Sequence, residues 1–91
     1  MEFFLAAEEF SEAYDQLSDA DAMELDKTLR RLLDDPGSAW ARQGRIGIGV
    51  DDRRYDGAWI VRVPVGDTFY NVYWEYEDSE TLLLIAVVPA P

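Results

Sequence analysis

The chain contains no cysteine and no histidine. Without thiols there are no disulfides and no thiolate metal sites; without imidazole, histidine-ligated zinc and histidine acid/base catalysis are excluded as well. Bases are scarce: 8 Lys and Arg stand against 19 Asp and Glu, a net charge of −11. Those bases are also confined, because none precedes Lys27 and none follows Arg62. A charge of this sign repels nucleic acid on average and attracts basic partners over a Debye length of about 8 Å in physiological salt. No apolar run approaches the roughly 18–20 residues of a membrane span, and no basic, apolar leader opens the chain. A cytoplasmic location is the expectation, with no membrane partner.

What is present argues for a folded domain. Hydrophobic residues make up 48% and aromatics 13% of 91 residues, well above an acidic disordered tail. A chain of this size makes one domain, residues 1–91, that buries roughly 60–65% of its unfolded surface.

The most informative stretch runs from Ala58 to Val88, where three runs rich in β-branched and aromatic residues are separated by Gly66-Asp67 and by Glu77-Asp78-Ser79-Glu80. That pattern predicts an antiparallel meander. Trp59, Val61, Val63 and Val65 share one face of the first run, opposite Ile60, Arg62 and Pro64. In the second, Tyr70, Val72, Trp74 and Tyr76 oppose Phe69, Asn71, Tyr73 and Glu75. Thr81–Val88 is apolar on both faces, as a central, covered strand would be. Pro64 lacks an amide hydrogen and so belongs at an edge or a bulge.

Before the meander the period changes. Phe10, Ala13, Tyr14 and Leu17 recur at helical spacing within Ala6–Leu17, with Glu8, Glu9, Glu12 and Asp15 on the other face. Ser18-Asp19-Ala20-Asp21 has capping-box spacing and opens a second helix with a stripe of Ala22, Leu25, Leu29, Leu32 and Leu33. Asp34-Asp35-Pro36-Gly37 ends it. Glu2–Leu5 reads as an edge strand or as the entry to the first helix. Ser38–Arg45 is a loop anchored by Trp40, Arg45–Val50 a short strand, and Asp51–Gly57 a polar turn. The expected fold is α+β: an N-terminal helical hairpin packed on a twisted antiparallel sheet of three to four strands.

Phe10-x-x-x-Tyr14-x-x-Leu17, then Leu25-x-x-x-Leu29-x-x-Leu32-Leu33-Asp34-Asp35-Pro36, then Trp59–Val63, Tyr70–Trp74 and Leu82–Val88 together resemble the RelE/ParE toxin superfamily over nearly the whole chain. The resemblance implies a toxin of a toxin–antitoxin pair, neutralised by an antitoxin peptide that wraps it. RelE-like members cut messenger RNA in the ribosome, and ParE-like members inhibit DNA gyrase. RelE-type cleavage needs lysines and arginines on the sheet face and a basic or tyrosine group near the C-terminus. Here the positions that match carry Ala58, Ile60, Tyr70-Asn71 and Val88-Pro89; only Arg62 is basic. The resemblance therefore implies a ParE-like or non-cleaving binder, with no cofactor and with a basic antitoxin-like partner along a sheet edge or beside the helices.

Two other functions stay open. One is an endoribonuclease using Arg62 with a neighbouring arginine or Tyr55. The other is an acidic inhibitor that mimics nucleic acid to block a basic protein. Candidate binding residues are Arg42, Arg45, Arg53, Arg54 and Arg62, which could meet phosphates or an acidic surface. Internal pairing with Asp51, Asp52, Asp56 and the acidic helices is the competing reading, and the better one in so acidic a chain. Tyr70, Asn71 and Tyr73 are either the wall of a site or ordinary strand residues. Asp19/Asp21 and Asp51/Asp52 match no metal-binding loop, and Gly44, Gly47 and Gly49 lack the strand–turn–helix context of a phosphate loop. Trp40, Trp59 and Trp74 read as core anchors before they read as a base-stacking platform.

Overall fold

The computed structural model describes residues 3–45 and 57–90. Strand β1 (Phe3–Ala6) leads into helix α1 (Glu8–Asp15), and helix α2 (Asp19–Asp34) follows after a short link. Strands β2 (Gly44–Arg45), β3 (Trp59–Val65), β4 (Thr68–Tyr76) and β5 (Thr81–Pro89) complete a sheet of order β1-β5-β4-β3-β2. The α+β class and the helical hairpin are as expected. The sheet is larger and mixed, because β1 pairs parallel with β5 while the other pairs are antiparallel. The first residues thus resolve as an edge strand.

That pairing also shortens α1 relative to the periodicity. Ala6 stands opposite Leu84, and the Ala7 amide donates to the Leu84 carbonyl at 2.9 Å, so the helix starts only at Glu8. At its other end the Gln16 and Leu17 amides reach back to the Ala13 and Tyr14 carbonyls, tightening the last turn. Glu8 and Glu9 lie in the first turn, where the helix dipole favours anions. The Ser18 hydroxyl caps α2 by accepting the Asp21 amide at 3.2 Å.

Leu25, Leu29 and Leu32 of α2 and Phe10 of α1 are buried against Val61, Val63, Val65, Val72, Trp74, Leu82, Leu84 and Val87 of the sheet. The alternation predicted for β3 and β4 therefore points as written. In β5 it breaks once. Tyr73 pairs with Ala86 but Trp74 pairs with Leu84, so Ile85 is an extra residue in a bulge. Ile85 and Ala86 consequently join Ala58 in a second buried cluster on the face away from the helices. The double-sided apolar character of β5 is thus accounted for.

Among the described residues β2 pairs with Trp59 and Ile60 and does not reach Pro64, whose missing amide hydrogen breaks no ladder bond there. The β3–β4 hairpin turns at Gly66, whose φ of +62° at the first central position marks a type II′ turn. Its amide donates to Glu24 Oε2 at 2.7 Å, tying the turn to α2. A Cβ here would come within 3.0 Å of Asp21 Oδ1. Gly66→Ala is expected to cost about 1–2 kcal/mol from the left-handed backbone alone, measured as a lower denaturant midpoint at unchanged slope.

Candidate functional site

The sheet presents two chemically different faces to the candidate residues. On the helix side, the loop after α2 is tied to the sheet by Trp74, whose indole N–H donates to the Ala41 carbonyl at 2.9 Å in a buried position. Arg42 follows directly. Its Nε donates to the Pro36 carbonyl at 3.1 Å and its Nη2 to the Tyr76 hydroxyl at 2.6 Å. The guanidinium lies 4.9 Å from the Trp59 ring centroid and 5.6 Å from that of Tyr76. Trp74 and Tyr76 meet edge to face at 5.4 Å. Arg31 lies 4.0 Å over the Trp40 ring. These are cation–π contacts that hold a loop with little apolar content of its own. Trp74 is buried and Trp40 and Trp59 are half-buried against the core, so the three tryptophans are packing groups.

The opposite face carries Arg62, which is exposed and lies 4.7 Å from the Phe69 ring centroid. Its amide donates to Gln43 Oε1 at 3.2 Å, so a side chain takes the place of a neighbouring strand there. Asn71 is the cross-strand partner of Arg62. Tyr73 is half-buried on the same face, against Ala58, Ile85 and Ala86, whereas Tyr70 packs against the core beneath the helices. Arg62, Asn71 and Tyr73 are thus brought to one face, and Tyr70 is not. Nor do Arg42 and Arg62 share a patch, since they lie on opposite faces of the sheet. Of the candidate arginines, Arg42 and Arg62 lie over aromatic rings, as Arg31 of α2 also does. Arg45 pairs through its backbone with Trp59. Arg53, Arg54, Tyr55, the aspartates proposed to pair with them and the strand expected after Arg45 lie outside the described residues.

Two features escaped the sequence reading. The first is a groove of about 390 Å³ lined by Phe4 of β1 and by Asp26, Lys27, Leu29, Arg30 and Leu33 of α2. Its only sequence trace is the pair Leu32-Leu33, too wide for a single buried stripe. The second is a bond between the helices: the Tyr14 hydroxyl donates to Asp26 Oδ1 at 2.8 Å. That bond, then burial, then the negative charges of Asp26 and Asp15 raise the phenol above its usual value of 10.0. The folded state binds this proton more tightly than the unfolded chain. Its contribution is therefore complete below the ordinary phenol range and is lost as pH rises through the raised value. Asp26→Asn is expected to lower the Tyr14 titration midpoint, read from ring NMR shifts; an unmoved midpoint would assign the shift elsewhere.

No family model and no curated protein matches the chain. Its solved structural relatives define the class: a two-helix, mixed-sheet α+β domain with the fold of a RelE toxin. A chain of the intact E. coli RelBE toxin–antitoxin complex superposes with a TM-score of 0.66 at 16% identity, covering 100% of this chain and 99% of that one. The isolated E. coli RelE toxin superposes at 0.65, also at 16% identity, covering 100% of this chain and 86% of that one. Identity this low establishes a shared fold, and it does so along the whole chain.

Proposed function

We propose that this chain is the toxin-type member of a toxin–antitoxin pair and that it acts by binding a macromolecule, without RelE-type RNA cleavage. The fold shared end to end with a RelE toxin, free and in complex with its antitoxin, supports the first part. The single observation that carries the second is the sheet face away from the helices. Phosphoryl-transfer chemistry on RNA needs cations placed where charge develops. Among the described side chains on that face Arg62 is the one cation, with Ile60, Pro64, Phe69, Asn71 and Tyr73 around it. Arg62 also lies over a phenyl ring, a packing role that requires no substrate.

The partner that neutralises the protein is a basic antitoxin-like peptide, in keeping with the charge of −11, and the setting is cytoplasmic. The test is growth of a bacterial host after induced expression of this chain alone and then with its neighbouring reading frame. Arrest that the neighbour relieves, with messenger RNA left intact, is the expected result. Cleaved RNA, abolished by Arg62→Ala in a folded protein, would replace this reading with the endoribonuclease. DNA damage during the arrest would direct the search to gyrase, and stalled translation without cleavage to the ribosome. Unimpaired growth at good soluble yield would refute an active toxin in that host.

A further inference from the structure

The groove beside α2 has an apolar floor and a cationic rim whose charge the fold leaves unanswered. Phe4, Leu29 and Leu33 form the floor, and Lys27 and Arg30 stand exposed beside it. Helical spacing offers each cation a carboxylate: Glu24 precedes Lys27 at i−3, and Asp26 precedes Arg30 at i−4. Both carboxylates are drawn elsewhere. Glu24 Oε2 accepts the Gly66 amide at 2.7 Å, and Asp26 Oδ1 accepts the Tyr14 hydroxyl at 2.8 Å. Among the described residues neither Lys27 nor Arg30 makes an ion pair or a side-chain hydrogen bond, Asp34 on the next turn included. Arg31, their neighbour in charge, is stacked on Trp40. Lys27 and Arg30 are also like charges at i and i+3, which repel until an anion lies between them.

We propose that this groove binds a small amphipathic acid, its carboxylate seated between Lys27 and Arg30 and its unbranched aliphatic tail laid along Phe4, Leu29 and Leu33. The lining selects both parts. Arg30 offers a carboxylate paired N–H donors, and Lys27 offers it a point charge. The floor rewards apolar area removed from water. From Lys27 to Leu33 the helix rises about 9 Å, the reach of a medium-length acyl chain. The groove's 390 Å³ falls within the range of small-ligand clefts. Asp26 is the anion of the lining and opposes the ligand's head, but Lys27 and Arg30 outweigh it. The chain's net charge of −11 acts against any anion at a distance. That field is screened over about 8 Å in physiological salt, whereas the two cations touch the ligand. The groove lies on the helix side of the sheet, away from Arg62, and its ligand does not depend on the toxin-type reading.

The probe is octanoate, titrated as a monomer into the full chain and followed by amide NMR and calorimetry. The expected result is saturable binding with the largest shifts at Phe4, Lys27, Arg30 and Leu33. Octanamide keeps the tail without the charge and is expected to bind about tenfold more weakly. Acetate, which keeps the charge without the tail, should not saturate. The double variant Lys27→Gln/Arg30→Gln changes only exposed side chains. It should weaken octanoate about tenfold at a thermal midpoint close to wild type. Asp26→Asn removes the opposing charge and should tighten binding. Octanoate that fails to saturate, that binds the double variant as well as wild type, or that binds no better than octanamide would overturn the site. So would shifts centred on Arg62 and Asn71. Association with anionic lipid vesicles in place of the monomeric acid would overturn it too, by making the two cations a surface contact. The growth assay uses no octanoate, so either result leaves the toxin reading to its own test.

Discussion

Trp74→Ala is expected to lower stability by about 3–5 kcal/mol, the usual cost of deleting a buried large aromatic. For a domain of this size each kcal/mol moves the thermal midpoint by roughly 4–8 °C, so a fall of about 12 °C or more should appear in a circular-dichroism melt. The position is fully buried on the core face of β4, where it meets Trp59, Tyr76 and the loop after α2. Two physical terms add there. One is the cavity left in the core. The other is the Ala41 carbonyl, buried and accepting the indole N–H at 2.9 Å. Trp74→Phe separates them: it keeps most of the apolar volume and leaves the carbonyl without its donor, at about 1–3 kcal/mol. A phenylalanine variant as stable as wild type would show that the hydrogen bond contributes nothing net. Because Trp74 also supports Tyr76, and through it Arg42, both variants should loosen the loop, visible as faster amide exchange at Ala41 and Arg42.

Leu32→Ala is expected to cost about 2–5 kcal/mol, and Leu33→Ala only about 1 kcal/mol, from the smaller apolar area it removes from water. Leu32 is fully buried between α2 and the sheet, while its neighbour is half-buried at the groove beside Phe4. The pair discriminates the packing register of α2. A one-residue rotation of the helix would reverse the order of the two effects in a denaturant titration.

The contrast between neighbouring leucines shows where sequence reading stops. Periodicity placed both in the buried stripe, since a 3.6-residue repeat defines an arc and not its centre. The centre is set by the element on which the helix rests. Arg42 is a similar case. As a lone arginine in a loop it groups with Arg62 by charge alone, and no neighbouring residue in the sequence signals that Trp59 and Tyr76 provide rings and a hydroxyl for it. For Tyr70, Asn71 and Tyr73, strand alternation alone was enough to assign faces, and the faces are as the period of two requires.

The local signals in this chain determined the two helices, the Ser18 cap, the β3–β4–β5 meander, the inward faces of β3 and β4 and the edge position of Pro64. Each depends on residues within a few positions of one another, through side-chain periodicity, backbone sterics or a missing amide hydrogen. Tertiary structure alone decided the parallel pairing of β1 with β5, the bulge at Ile85, the separation of Arg42 from Arg62 and the groove beside Phe4. These depend on groups far apart in the chain: Phe3 meets Thr81, and Arg42 meets Tyr76. Such contacts form only after the chain has closed on itself, and one residue of slip in β5 would have reversed the faces that flank them.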